Sequence, residues 1–208
     1  IVVDPKNSNT IYVAAIGVAW GEGEDRGVYK STDGGKTWTK SLFVDAKTGA
    51  ADLVMDPKNP NKLMVAMWEY RRWPWYFNSG GPGSGLYITH NGGETWEKRS
   101  DKEGLPEGNL GRMGLAISPS SPNIAYALIE NAAKNALYKT TDGGFKWRKV
   151  SEDENIGNRP FYYSEIFVSP DNPNKIYSLW TVLTMSEDGG NSWSTIAPYN
   201  SVHPDHHS

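Results

Sequence analysis

Two stretches of this sequence concentrate residue types that do chemistry. Between positions 68 and 77, six aromatics fall within ten residues: Trp68, Tyr70, Trp73, Trp75, Tyr76 and Phe77, with Arg71 and Arg72 among them. Aromatic faces stack on the apolar C–H faces of sugar rings, while guanidinium, carboxylate and amide groups pair with sugar hydroxyls; a peptide is bound by the same means. The stretch reads as a ligand-binding segment, against a competing reading as satellite core or a seal on a partner protein. The second stretch, His203-Pro204-Asp205-His206-His207, holds three of the four His in the chain. Imidazole and carboxylate are ligands for zinc and other transition metals. His203, Asp205, His206 and His207 are therefore the candidate set for a divalent ion, against a plain exposed polar segment. No other cofactor is required. Gly80-Gly81-Pro82-Gly83 neither follows a strand nor opens a helix, so it reads as a return rather than a phosphate cradle.

Composition limits what can position these residues. The chain has 208 residues, 22 Gly, 13 Pro, nine Trp and no Cys, with a net charge of −3. That much Gly and Pro argues against a mostly helical protein, and 12% aromatics supply a real core. The absence of Cys excludes disulfides, thiolate metal sites and a Cys nucleophile. The charge shows no basic excess of the kind that binds nucleic acid, and no apolar run is long enough to insert as a membrane helix. The sequence opens on Ile1-Val2-Val3-Asp4-Pro5, which reads as a strand already under way, so the chain is expected to be part of a longer one.

The positioning elements are repeats. Ser31-Thr32-Asp33-Gly34-Gly35-Lys36-Thr37-Trp38 returns at Asn91 with Trp96, at Asp142 with Trp147 and at Asp188 with Trp193, spaced 58, 51 and 46 residues apart. A second motif alternates with it: Asp4-Pro5-Lys6-Asn7-Ser8-Asn9, Asp56-Pro57-Lys58-Asn59-Pro60-Asn61, then versions at Ser118 and Ser169. Between the motifs lie short β-rich apolar runs, in the second repeat 51–55, 62–67, 85–89 and 95–98. Proline and Asx turns join the first and second strands of each repeat, and the Gly-Gly turn joins the third and fourth. One four-stranded antiparallel sheet per roughly 50 residues is a β-propeller blade. The fold is thus all-β, a propeller domain over 1–208 with blades at about 1–48, 49–108, 109–160 and 161–198. Residues 199–208 begin a link to a further blade, and the four blades are expected to be part of a larger ring. Each box Trp should pack between neighbouring sheets.

The S/T-x-D-x-G-x-T/S-W pattern resembles the Asp box, or BNR repeat, of sialidases, family 74 xyloglucanases, the sortilin/Vps10 luminal domain and photosystem assembly factors. The alternating Asn-Pro-Asn turns are most similar to bacterial sortilin-N-terminal-like or family 74-like proteins. Asn91 and Lys146 depart from the pattern. In these families the box is structural, so Asp33, Asn91, Asp142 and Asp188, with Trp38, Trp96, Trp147 and Trp193, are expected to be blade architecture. The resemblance also implies an extracellular or periplasmic setting.

Propeller connectivity puts the box turns and the Asn-Pro-Asn turns on one face. The unrepeated stretches 17–26, 68–83, 99–112 and 151–163 then belong to the opposite face, where variable loops carry function. The expected ligand-binding set on that face is Trp20, Trp68, Tyr70, Arg71, Arg72, Trp73, Trp75, Tyr76, Arg112, Arg159 and Tyr162. The leading reading is a binding module for an extended glycan or peptide. One alternative is a family 74-type glycoside hydrolase, for which the resemblance implies two Asp residues on the cleft face, with Asp25, Asp52, Asp101 and Asp153 as candidates and no catalytic assignment made. A sialidase is less well supported, because the Arg-Ile-Pro segment typical of sialidases is absent. A third reading is an assembly role, with the aromatic stretch at a protein interface or against further blades.

Overall fold

The computed structural model describes residues 1–131, 135–157, 159–162, 164–198, 200, 201, 203 and 206. They form four antiparallel sheets, each built from strands consecutive in sequence. The first holds β1 (Val2–Val3), β2 (Ile11–Ala15), β3 (Gly27–Ser31) and β4 (Thr39–Leu42). The second holds β5 (Thr48–Met55), β6 (Leu63–Arg72), β8 (Gly85–Thr89) and β9 (Glu97–Lys98), with β7 (Phe77–Ser79) added to β6. The third holds β10 (Leu110–Ile117), β11 (Ala125–Asn131), β12 (Ala136–Thr140) and β13 (Arg148–Ser151), and the fourth β14 (Glu165–Val168), β15 (Ile176–Leu179), β16 (Leu183–Ser186) and β17 (Ser194–Ala197). One 3-10 turn, Asp101–Glu103, is the only helical segment among the described residues. None of those residues lies in a helix long and apolar enough to cross a membrane.

The sheets stack side by side, with their first strands adjacent, as an open arc of propeller blades. Inner sheets bury both faces, which is why Leu63-Met64-Val65-Ala66-Met67 is a continuous apolar run rather than an alternating one. The period of two still sorts it. Leu63, Val65 and Met67 enter the core shared with the first blade, and Met64 and Ala66 enter the core shared with the third. Box Trp residues join these inter-blade cores as expected: Trp96 between blades one and two, Trp147 between two and three, Trp193 between three and four. Trp38 is 41% exposed, because no described sheet packs on the side where its counterparts find their neighbour. Close packing also uses Gly114, where a Cβ would meet the Ser164 carbonyl oxygen at 1.5 Å.

Each box closes on itself through one side chain, a carboxylate in three boxes and the Asn91 amide in the second. Asp33 Oδ1 accepts the Lys36 and Thr37 amides at 3.0 and 2.9 Å and the Ser31 hydroxyl at 2.8 Å, and Oδ2 accepts the Thr37 hydroxyl at 2.6 Å. Asp188 repeats the set with Asn191, Ser192 and Ser186. In the third box Lys146 offers its amide but no hydroxyl to Asp142. In the second, Asn91 keeps the geometry by donating from Nδ2 to Thr95 Oγ1 at 2.9 Å. The two sequence motifs then meet. The first box glycine of every blade donates to an Asn-turn carbonyl: Gly34 to Asn9 (3.0 Å), Gly92 to Asn61 (2.8 Å), Gly143 to Asn123 (2.9 Å) and Gly189 to Asn174 (2.8 Å). These glycines sit at φ 76, 68, 85 and 74°, a region that disfavours any residue with a Cβ.

Donors aimed at the carboxylates hold the pKa of Asp33 and Asp188 down to about 2, the Thr37 and Ser192 hydroxyls contributing most. A depressed folded pKa stabilises fully above the ordinary Asp value, about pH 4, and the benefit is lost as pH falls through the folded value. Thermal unfolding followed by Trp fluorescence should therefore show a melting temperature that drops between about pH 4 and pH 2. The double variant Asp33→Asn, Asp188→Asn should drop less over the same window. An equal acid slope in the two proteins would place the acid sensitivity elsewhere.

Candidate ligand-binding face

The register fixes which end of the blades carries the aromatic segment. Strand β6 starts beside the box end, with Leu63 opposite Thr89, and passes Gly85 at Met67. It then continues through Trp68–Arg72, so the aromatic segment lies at the end remote from Asn91. Residues 68–83 are not the loop that the sequence suggested. Strand β6 runs on to Arg72 and pairs with β7, Tyr70 opposite Ser79 and Arg72 opposite Phe77. Alternating bulky aromatic and long polar residues are a strand pattern, and Pro74 sits in the Trp73–Tyr76 turn, where no ladder donor is needed.

Strand alternation gives this hairpin two sides. Trp68, Tyr70 and Arg72 share one. Trp68 and Tyr70 are buried, 2% and 6% exposed, and stack at 4.3 Å between ring centroids. They therefore form satellite core rather than an open platform, which corrects two members of the expected binding set. Phe161, brought from the fourth unrepeated stretch, meets Trp68 edge-on at 5.2 Å. The Trp68 Nε1–H donates to Ser79 Oγ (3.0 Å), whose hydroxyl donates to Glu130 Oε2 (2.5 Å). The Tyr70 hydroxyl donates to the Gly17 carbonyl at 3.0 Å, tying the hairpin to the first unrepeated stretch.

Aromatics nearer the turn remain open. Trp75 is 83% exposed, Tyr76 60%, Phe77 45% and Tyr162 37%. The last three join half-buried Trp73 and Phe161 in a connected strip: Trp73 to Tyr76 at 5.9 Å, Tyr76 to Phe77 at 6.4 Å, Phe77 to Phe161 at 4.4 Å and Phe161 to Tyr162 at 5.3 Å. Arg72 donates to the Tyr162 hydroxyl at 3.1 Å, and the Arg159 guanidinium lies 5.1 Å from the same ring. On the hairpin's other side, Glu69, Arg71, Trp73 and Asn78 line a pocket of about 220 Å³ with Gly21, Glu22 and Lys47. The Arg71 guanidinium covers Trp73 at 4.7 Å and reaches Glu22 at 4.0 Å. Trp20, 60% exposed, sits on the adjoining stretch. That stretch is wound around Arg26, fully buried, which donates to the carbonyls of Ile16, Val18 and Gly21.

The third unrepeated stretch departs from the expected face. Its first half packs toward the box of the next blade: Arg99 Nε donates to the Gly144 carbonyl (3.0 Å), Trp147 N–H donates to the Glu103 carbonyl (2.7 Å), and Leu105 enters the core. A Ser100 capping box and Leu105 make this segment a wedge between blades. Arg112, at its far end, does reach the aromatic face, as a brace. It donates to the Phe161 carbonyl and to Glu165 Oε1, both at 3.1 Å, and lies 5.6 Å from the Trp68 ring.

Arg112 and Glu165 also line a cleft of about 530 Å³ along the inner strands, together with Asp52. Asp52 accepts the amides of Leu53 and Leu115, each at 2.8 Å. Burial pushes its pKa up and the Glu165 charge adds to this, while the two amides and Arg112 oppose it. Asp52 is the one candidate acid in this cleft. Asp101 and Asp153 follow the outermost strands β9 and β13, away from the inner strands, and Asp25 precedes β3. Of the metal candidates, Asp205 and His207 lie outside the described residues. His206 donates its amide to the Trp180 carbonyl at 2.9 Å, and the described residues contain no cluster of three potential ligands. Reading the sequence missed the central position of Phe161 and the roles of Glu130, Glu165 and Arg26. Only the Phe161-Tyr162-Tyr163 aromatic run hinted at one of them.

Sheet order, box geometry and the opposed hairpin define an arc of an Asp-box β-propeller. The BNR/Asp-box repeat family model matches residues 29–40 and 87–98, so the chain carries BNR repeats. The xyloglucanase Xgh74A of Acetivibrio thermocellus is 27% identical over 173 residues, spanning 71% of this chain and 20% of that protein. The GH74 xyloglucanase from Xanthomonas campestris superposes with a TM-score of 0.61 at 20% identity, covering 93% of this chain and 29% of that one. An ancestral GH74 enzyme gives a TM-score of 0.64 at 20% identity, covering 95% of this chain and 23% of the other. The chain thus spans about a fifth of the length of the curated relatives it matches.

The division into buried and open aromatics has a direct consequence. Trp68→Ala should cost about 3–5 kcal/mol in urea unfolding, from lost burial and the cavity left behind. Trp75→Ala should stay within about 0.5 kcal/mol, as for exposed positions generally. Equal losses for the two would contradict the placement of both side chains.

Proposed function

We propose that this propeller arc is a glycan-binding module that holds an extended sugar chain along the strip from Trp73 to Tyr162. The observation that carries the reading is the strip itself. Exposed Tyr76, Phe77 and Tyr162, joined through half-buried Trp73 and Phe161, form one connected series from two different blades on the face remote from the boxes, flanked by Arg71, Arg72 and Asn78. Sugars stack on such rings and use the adjacent polar groups for their hydroxyls. Rings already fixed by neighbours lose little freedom when a ligand arrives, which favours binding. The similarity to proteins named xyloglucanases makes xyloglucan oligosaccharide the first ligand to test. With a plant cell-wall polysaccharide such as xyloglucan as its ligand, the domain would work outside the cytoplasm.

A hydrolase is the second reading, favoured by Asp52 and Glu165 sharing the inner cleft with Arg112, which pairs with Glu165. Two carboxyl groups held in one cleft, one of them with its pKa raised by burial, are the kind of pairing that glycoside hydrolysis uses. Both Asp52 oxygens, however, already accept backbone amides, which suits a brace between β5 and β10.

Isothermal titration with xyloglucan and other plant oligosaccharides separates the readings. Replacing Trp73 and Tyr76 by Ala should weaken binding at least about tenfold, in line with losing one or two stacking contacts of about 1 kcal/mol each, without lowering the melting temperature. Unchanged affinity would refute the strip as the binding surface. Release of new reducing ends by the parent chain, abolished by Asp52→Asn, would replace the binding-only reading with the hydrolase.

A further inference from the structure

The hairpin's second side opens on a recess that the aromatic strip meets only at Trp73. Main-chain hydrogen bonds tie together the segments that frame it. Arg72 N–H donates to the Ala19 carbonyl at 2.8 Å, Gly23 N–H to the Ala46 carbonyl at 2.9 Å, and Tyr70 N–H to the Lys47 carbonyl at 3.4 Å. Asn78 stands opposite Arg71 in the β6–β7 ladder. The walls of this recess, about 220 Å³ in volume, are therefore fixed by backbone before any ligand arrives, which favours binding.

Its lining carries two acids, Glu22 and Glu69, and two bases, Lys47 and Arg71, beside Trp73 and Asn78. These four charges barely pair with one another. Among the described residues, the one ion pair joining any two of them is Arg71 to Glu22 at 4.0 Å. An exposed pair at that distance contributes little. Glu69 Oε2 accepts the Gly83 amide at 3.1 Å rather than a base. Arg71 Nε is shielded from solvent and has no hydrogen-bond partner among the described residues. A shielded N–H without an acceptor is costly, and a carboxylate is the acceptor that guanidinium geometry matches.

The ligand class follows from the sign of each wall. A lone anion would satisfy Arg71 and Lys47 but face two carboxylates. A lone cation would face two bases. A neutral ligand would cover all four charges and answer none of them. A small molecule with a carboxylate and an ammonium on one carbon answers both signs at once.

We infer that this recess binds a free α-amino acid. Its carboxylate lies on Arg71 and Lys47, its ammonium on Glu22 and Glu69, and its side chain against Trp73. Arg71 exchanges Glu22 for the ligand carboxylate, and its Nε gains the acceptor that it lacks. The site stands apart from the glycan reading, since Trp73 is the one ring that the recess shares with the strip.

Thermal shift of the parent chain with each standard L-amino acid, and with glucose and xylose as neutral controls, finds the tightest binder. Titration then compares that amino acid with its methyl ester and its N-acetyl form. The free amino acid should bind at least about tenfold tighter than either capped form, in line with losing one charge-assisted contact. Arg71→Gln should lower its affinity to that of the methyl ester, and Arg71→Lys should restore part of it. Glu69→Gln should lower its affinity toward that of the N-acetyl form. Neither change should move the melting temperature of the free protein. Tyr76→Ala, in the strip but outside the recess, should leave amino-acid binding intact, which separates failure of this site from failure of the glycan reading. Absence of binding by every amino acid at millimolar concentration would overturn the inference. So would capped forms that bind as tightly as the free amino acid, or an affinity unchanged in Arg71→Gln. Glucose or xylose binding where no amino acid does would overturn it as well and assign the recess to a sugar.

Discussion

The structure depends on one short contact, the hydrogen bond from the first box glycine to the carbonyl of the Asn turn. It recurs in all four blades at 2.8–3.0 Å. It locks the turn between strands three and four against the turn between strands one and two, so each blade is closed at one end by its own residues. The carboxylate or amide inside the box holds the glycine turn in shape for that bond. Because the turn needs positive φ, a Cβ at this position would strain it, and the sequence pattern follows from the geometry.

Closing the blades at one end also organises the joints between them. The Tyr12 hydroxyl and Lys30 Nζ of the first blade both donate to the Gly92 carbonyl in the second box, at 2.8 and 2.7 Å. Tyr126 does the same to Pro173, while Lys62 reaches Pro122. With Tyr and Lys side chains engaged in this way, the box end is occupied by architecture. The opposite end is free to vary, and there β6 is extended by five residues beyond its pairing with β8 and turned back as β7. A rigid scaffold with one variable end is a recurrent arrangement for binding surfaces.

Much of this was legible in the chain. The spacing of Asp33, Asn91, Asp142 and Asp188 gave the blade count, and the phase of the Asn turns gave the face on which the hairpin had to lie. Less legible was the character of the aromatic segment. Its alternation, Trp68-Glu69-Tyr70-Arg71-Arg72, is a strand pattern, but its length beyond the repeat and its Pro74 pointed to a loop. The wedge at Ser100–Leu105 was hidden for another reason. Whether a link between blades rises to the variable end or packs down beside the next sheet depends on the space left there, and no local residue pattern encodes that space.

By itself the sequence determined what is local and repeated: the strand runs, the box turns, the positive-φ glycines and the period-two sorting of apolar residues into successive inter-blade cores. These follow from backbone sterics and side-chain alternation, which act over a few residues. Only the tertiary structure decided what each aromatic and each arginine does. Phe161 crosses from the fourth blade to cover Trp68, and Arg112 is neutralised by Glu165, 53 residues away. Arg72 meets Tyr162, 90 residues away, instead of an acid. Burial and charge pairing depend on which distant groups come within a few ångströms, and stacking the blades is what brings them there.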